Sequence, residues 1–127
     1  MTATEAPTSS IGLSSQLPPD LPIHLTDFIG RDPELGELKR LIQSTRMLTL
    51  TGAGGSGKTR LAREAAVRSA NAFDRIGWVD LAPISNREQV AEQTAAALHI
   101  QERPGISAVN LLIESLCVGQ PLVVLDN

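Results

Sequence analysis

Apolar residues recur along this chain at helical spacing, then in short unbroken runs, and the two patterns alternate from about residue 25 to the end. Leu35, Leu38, Leu41 and Ile42 fall on one helical face, with Glu34, Glu37, Lys39 and Arg40 on the others, so the spacing predicts a helix over about 33–43. Asp32 and Pro33 read as its N-cap and first-turn proline. Met47 to Thr51 is a short apolar run of the kind a buried parallel strand uses. Lys58 to Ala70 follows as a helix whose small face is Leu61, Ala62, Ala65 and Ala66, with Arg60, Arg63 and Arg68 on a solvated side. Ile76 to Leu81 reads as a strand, and Ser85 to Glu88 as a capping box opening a helix that runs to about Leu98. A helix over about 107–117 is capped by Ser107 and stopped by Gly119 and Pro121, and Leu122 to Leu125 is a final strand ending in Asp126-Asn127. Strands alternating with helices predict an α/β fold with a parallel sheet and flanking helices. Residues 1–22 are rich in Ser, Thr and Pro with few large apolar groups, and are expected to be a flexible leader to a domain over 23–127.

Between the first strand and the second helix lies Gly52-Ala53-Gly54-Gly55-Ser56-Gly57-Lys58-Thr59, a complete Walker A sequence. A triphosphate needs many donors close together, and glycines let the backbone curl so that its N–H groups point inward. The following helix adds the partial positive charge of its N-terminus. In this arrangement Lys58 reaches the β- and γ-phosphates and the Thr59 hydroxyl ligates Mg²⁺. Leu122 to Asp126, four apolar residues and then an acid, fits a Walker B strand whose aspartate helps hold the same ion. Alone that pattern is common; about 70 residues after a Walker A and beyond an intervening strand, it carries weight. Phe28-Ile29-Gly30-Arg31, upstream of the loop, reads on its own as a turn into a helix.

Charge and composition narrow the partners. A net charge of -3 argues against this segment gripping nucleic acid, whose binding surfaces are basic. The longest apolar runs fall far short of a membrane span, and the N-terminus lacks the basic and apolar blocks of a secretory signal, which together point to the cytoplasm. The single cysteine, Cys117, can form no internal disulfide and is expected to be a buried small hydrophobe. His24 and His99 have no second ligand at metal spacing and read as structural or surface residues.

Taken together the motifs resemble one group of proteins. Phe28-Ile29-Gly30-Arg31-Asp32-Pro33-Glu34-Leu35 is similar to the opening motif of STAND/AAA-type signalling ATPases. The stretches Met47 to Ala62, Trp78 to Ile84 and Leu122 to Asn127 resemble the P-loop ATPase domains of bacterial LuxR-type and related transcriptional regulators. The resemblance covers about residues 20–127 and implies a switch in which ATP or ADP occupancy sets an open or closed arrangement. By the same resemblance Ile29, Gly30 and Arg31 line the adenine and ribose side of the nucleotide. Gly52, Ala53, Gly54, Gly55, Ser56, Gly57, Lys58, Thr59 and Arg60 bind it around the phosphates, Thr59 and Asp126 hold Mg²⁺, and Lys58 and Asp126 are the catalytic pair. DNA is implied as a partner only through domains outside this chain, and the full-length protein has scope for oligomerisation.

Two departures qualify that picture. Asn127 stands where many hydrolytic relatives have a second acid, so a general base at that position is missing. The strand order implied by the resemblance, 5-1-4-3-2, places a strand from beyond Asp126 between the 47–51 and 122–125 strands. The chain is therefore expected to be part of a longer protein, truncated after the Walker B strand, inactive as an ATPase by itself, and prone to expose unpaired strand edges. Direct pairing of 47–51 with 121–125 would instead suit the kinase–GTPase division. The competing functions are a P-loop kinase or other ATP-hydrolysing enzyme, for which neither an acceptor site nor an arginine-rich lid is visible, and a remnant that binds nothing.

Overall fold

Residues 30–127 are described by the computed structural model; the leader, Leu25 and Ile29 lie outside them. The elements are α1 (Asp32–Ser44), α2 (Lys58–Arg68), β1 (Arg75–Asp80), α3 (Arg87–Ala97), α4 (Ala108–Leu116) and β2 (Pro121–Asp126), with a short 3-10 turn at Ala70–Ala72. β1 and β2 pair in parallel, in register from Arg75 opposite Pro121 to Asp80 opposite Asp126. A parallel pair cannot be closed by a tight hairpin, and α3 and α4 together supply the crossover.

β1 is packed on both faces. On one, Ile76, Leu122 and Val124 pack against Ala66 and Ala70 at the end of α2. On the other, β1 meets α3 at Gly77, where an added Cβ would stand 3.0 Å from Leu98 Cδ2. Leu98 is among the most deeply buried side chains, 1% exposed. The glycine is thus the seat for Leu98, and Gly77→Ala is expected to lower stability by about 1–2 kcal/mol through overpacking, read as a fall in the urea midpoint at unchanged slope. α2 is shared, since Leu61 and Ala65 turn instead to Leu35 and Leu38 of α1, with Ile42 and Leu50 at the margin. On the outer side of α1, hydrogen bonding from Arg40 holds the Glu37 carboxyl below the usual carboxylate range.

Several local expectations are corrected. Met47 to Thr51 forms no strand: the segment is without a ladder partner, Met47 is 84% exposed and Leu48 37%. An apolar run becomes a strand only when its N–H and C=O groups find a partner strand, and β2 is not beside it. A groove of about 480 Å³ separates the two, with Leu48 and Leu50 on one wall and Leu122 and Val124 on the other. The direct pairing of the kinase–GTPase arrangement is therefore not the one adopted. Arg31, not Asp32, is the N-cap of α1, and it makes no side-chain cap. Asp32 lies in the first turn, where a carboxylate suits the helix dipole, and its Oδ1 stands 3.4 Å from Arg68 Nη1.

The N-cap of α3 sits one residue later than expected. Asn86 Oδ1 accepts from the Gln89 N–H at 2.9 Å, and Gln89 Oε1 accepts from the Ser85 N–H at 3.0 Å. Asn caps as well as Ser, and Asn86 has the extended backbone an N-cap needs, with Gln89 reaching back to the residue before it. Cys117 is exposed, not buried, because it caps the C-terminal end of α4 beyond the turn that buries Leu111. Arg63 leaves the solvated face to lie half-buried over the Trp78 ring, 5.0 Å from its centroid. Arg60 and Arg68 are exposed as anticipated.

α3 ends in a Schellman turn. The His99 N–H donates to Ala96 O and the Ile100 N–H to Ala95 O, both at 2.9 Å, with His99 left-handed at φ 54. His99 is exposed and histidine is disfavoured there, so His99→Gly is expected to raise stability by about 0.5–1 kcal/mol, seen as a higher thermal midpoint.

Candidate functional site

The C-terminal ends of β1 and β2 and the N-terminal end of α2 converge. The glycine loop bends at Gly55 (φ 74) and Gly57 (φ 79), conformations that side-chain-bearing residues rarely adopt. Within it the Ser56 N–H donates to Ala53 O at 3.2 Å, and the first bond of α2 runs from the Leu61 N–H to Gly57 O at 2.8 Å. Gly57 is the N-cap and has no side chain to satisfy the first N–H groups of α2, which leaves them as donors at the positive end of the helix. No side chain crowds the bend either: a Cβ added at Gly54 or Gly55 would meet nothing within 4 Å.

Lys58 folds over the loop, with Nζ donating to Gly52 O and Ala53 O, each at 2.9 Å. Thr59, the next residue, turns toward the sheet, and its hydroxyl donates to Asp126 Oδ1 at 2.9 Å. These two residues stand 67 apart in sequence. The residue that follows β1 holds Asp126 from behind: the Asp126 carbonyl accepts from the Leu81 N–H at 2.7 Å. Asp80, its register partner, is occupied with its own turn, Oδ1 accepting from the Ala82 N–H at 3.0 Å. Among the described residues no group of three or more His, Cys, Asp or Glu side chains could hold a metal ion.

The structure brings Arg31 into this site. Its Nη1 donates to Ser56 O at 3.0 Å, in the glycine loop itself. Gly30 precedes it at φ 96, Arg60 is exposed in the first turn of α2, and Ile29 is outside the described residues. The Arg31–Ser56 contact spans 25 residues and has no periodic or spacing signal; an arginine just ahead of a helix that packs on α2 was its only trace. Arg63 was also missed as a packed residue, and its Nε is buried without a partner.

A glycine loop running straight into a helix, whose second residue is bonded to the acid that ends a parallel strand, defines a P-loop NTPase domain. The NB-ARC domain family matches residues 35–127, and the chain belongs to it. It is 38% identical over 105 residues to "Uncharacterized protein Rv0894" of Mycobacterium tuberculosis and, to the same extent, to "Uncharacterized protein Mb0918" of Mycobacterium bovis; the match covers 82% of this chain and 27% of each relative. It is 39% identical over 90 residues to "Putative HTH-type transcriptional regulator Rv0890c" of Mycobacterium tuberculosis, covering 71% of this chain and 10% of that protein. The chain thus spans about a quarter of the length of the first of these relatives. No solved structure matches it. Among the described residues no helix is long and apolar enough to cross a membrane.

Proposed function

We propose that this chain is the ATP- and ADP-binding part of a nucleotide-dependent switch in a cytoplasmic bacterial transcriptional regulator. The hydrogen bond between Thr59 and Asp126 carries the reading. It joins the loop that holds phosphate to the acid that ends β2, and it places a hydroxyl and a carboxylate together. Both are hard oxygen donors of the kind Mg²⁺ takes, with water and phosphate oxygens completing its shell. Gly52 to Thr59 would cradle the phosphates, Lys58 would neutralise them, and Arg60 would flank them from the first turn of α2. The bound ion would supply charge neutralisation between the phosphates. What the chain's own residues do is orient: Thr59 and Asp126 fix each other, and α2 offers its free N–H groups.

The regulatory half of the proposal draws on the relative named as an HTH-type transcriptional regulator. DNA contact would belong to other parts of such a protein, since the net charge here is -3. Hydrolysis would also need a group from outside the described site, because Asn127 follows Asp126 and is no general base. In the full-length protein a further strand would lie in the groove beside β2.

Titrating ATP into the purified chain, with Mg²⁺ and then with EDTA, tests the site. Asp126→Asn is expected to weaken binding about tenfold in Mg²⁺ and to leave the EDTA affinity unchanged. If Mg²⁺ makes no difference to either protein, the cation role of Asp126 fails.

A further inference from the structure

We propose that Arg31 is a positioning residue of the glycine loop: by holding the Ser56 carbonyl it aims the Gly57 N–H at the phosphate. A peptide group is planar and trans, so the C=O of Ser56 and the N–H of Gly57 point in opposite directions. Anchoring one therefore fixes the other. The anchor is needed because the residue after this peptide is a glycine at φ 79, which can adopt either sign of φ at little cost, so the 56–57 peptide is free to flip unless its carbonyl is held.

Arg31 is suited to hold it. It is the N-cap of α1 but makes no cap with its side chain, which extends across to the loop instead. Nη1 donates to Ser56 O at 3.0 Å, while Nε faces Glu34 Oε1 at 3.5 Å from the first turn of the same helix. α1 is in turn fixed on α2 through Leu35 and Leu38 against Leu61 and Ala65, so the guanidinium is carried by the body of the domain. The other cation of the loop, Lys58, is bonded to Gly52 O and Ala53 O and does not reach this peptide's carbonyl. Arg31 thus acts on the donors of the loop, and its effect belongs to the phosphates and not to the base. The purpose of that aim rests on the nucleotide-binding reading; the aim itself does not.

Two measurements on the 127-residue chain separate those layers. In the nucleotide-free protein, ¹⁵N relaxation and residual dipolar coupling report the mobility and direction of the Gly57 N–H. Arg31→Ala is expected to lower the Gly57 order parameter from about 0.85 to below about 0.6 and to change its coupling, with Arg31→Lys restoring much of both. Unchanged values for Gly57 in Arg31→Ala overturn the proposal. The second measurement compares ATP with inorganic tripolyphosphate, which has no base or ribose. Arg31→Ala is expected to weaken both by the same factor, about five- to tenfold, the size of one exposed charge-assisted hydrogen bond. A loss for ATP alone places Arg31 at the base and overturns the proposal, as does no loss for either. If neither ligand binds the unsubstituted chain, the nucleotide reading has failed, and the Gly57 measurement still decides Arg31.

Discussion

Lys58→Ala is expected to weaken ATP and ADP binding by about a hundredfold or more while the far-ultraviolet circular dichroism stays the same. An ammonium about 3 Å from phosphate oxygens, at the effective dielectric of a partly exposed site, is worth roughly 3–5 kcal/mol, and 1.4 kcal/mol is a factor of ten. Arg31 does not stand in its place, being committed to Ser56 O on another peptide of the loop. The fold should survive because the groups Lys58 leaves behind, Gly52 O and Ala53 O, belong to exposed residues where water replaces the ammonium. Isothermal titration decides it. An affinity within threefold of the unsubstituted chain would mean that Gly52 to Thr59 is a turn with an incidental lysine, and the nucleotide reading would fall with it. Lys58→Arg sharpens the result, since charge is kept while the compact head that fits under the loop is lost; an intermediate affinity separates charge from shape.

Where the physics was local, the sequence was legible. The bends of the glycine loop could be read because left-handed backbone calls for glycine, and the structure bends it at glycines 55 and 57 where φ is positive. The helices could be read from periodicity, and their ends to within two residues, because caps and stops are chosen within a turn. Thr59 and Asp126, 67 residues apart, are joined by a hydrogen bond. What was lost is what only packing decides. Met47 to Thr51 has the composition of a strand, but strandedness belongs to a pair of segments, and β2 stands across a groove. Gly77 read as an unremarkable strand residue because nothing in its neighbourhood announces that Leu98, 21 positions away, will sit on it. Arg63 was assigned to water by its helical position, yet α2 lies close enough to β1 for the guanidinium to stack on Trp78. Arg31 meets Ser56 O across 25 residues, a contact that neither periodicity nor spacing announces.

Gly119→Ala is expected to destabilise the fold by about 2–4 kcal/mol, from two causes that can be measured apart. Gly119 lies between α4 and β2 at φ 81, where an L side chain costs roughly 1–2 kcal/mol. The second cause is steric. A Cβ there would overlap the Asp74 carboxylate, with Cγ only 2.8 Å away. Asp74 cannot simply step aside, because its Oδ1 accepts from the Gln120 N–H at 3.1 Å and its own N–H donates to Gln120 O at 3.2 Å. These bonds stitch the start of β1 to the start of β2, next to the Arg75–Pro121 pair that begins the ladder. Moving Asp74 therefore loosens the register that carries Asp126 to Thr59. A double-mutant cycle in urea resolves the two causes. Asp74→Ala alone should cost about 1 kcal/mol, and in its presence Gly119→Ala should cost only the backbone share, about 1–2 kcal/mol. Strict additivity would show that the carboxylate is not in the way. Loss of nucleotide affinity in Gly119→Ala at temperatures where the chain remains folded would show, further, that the ladder's first pair sets the position of its last.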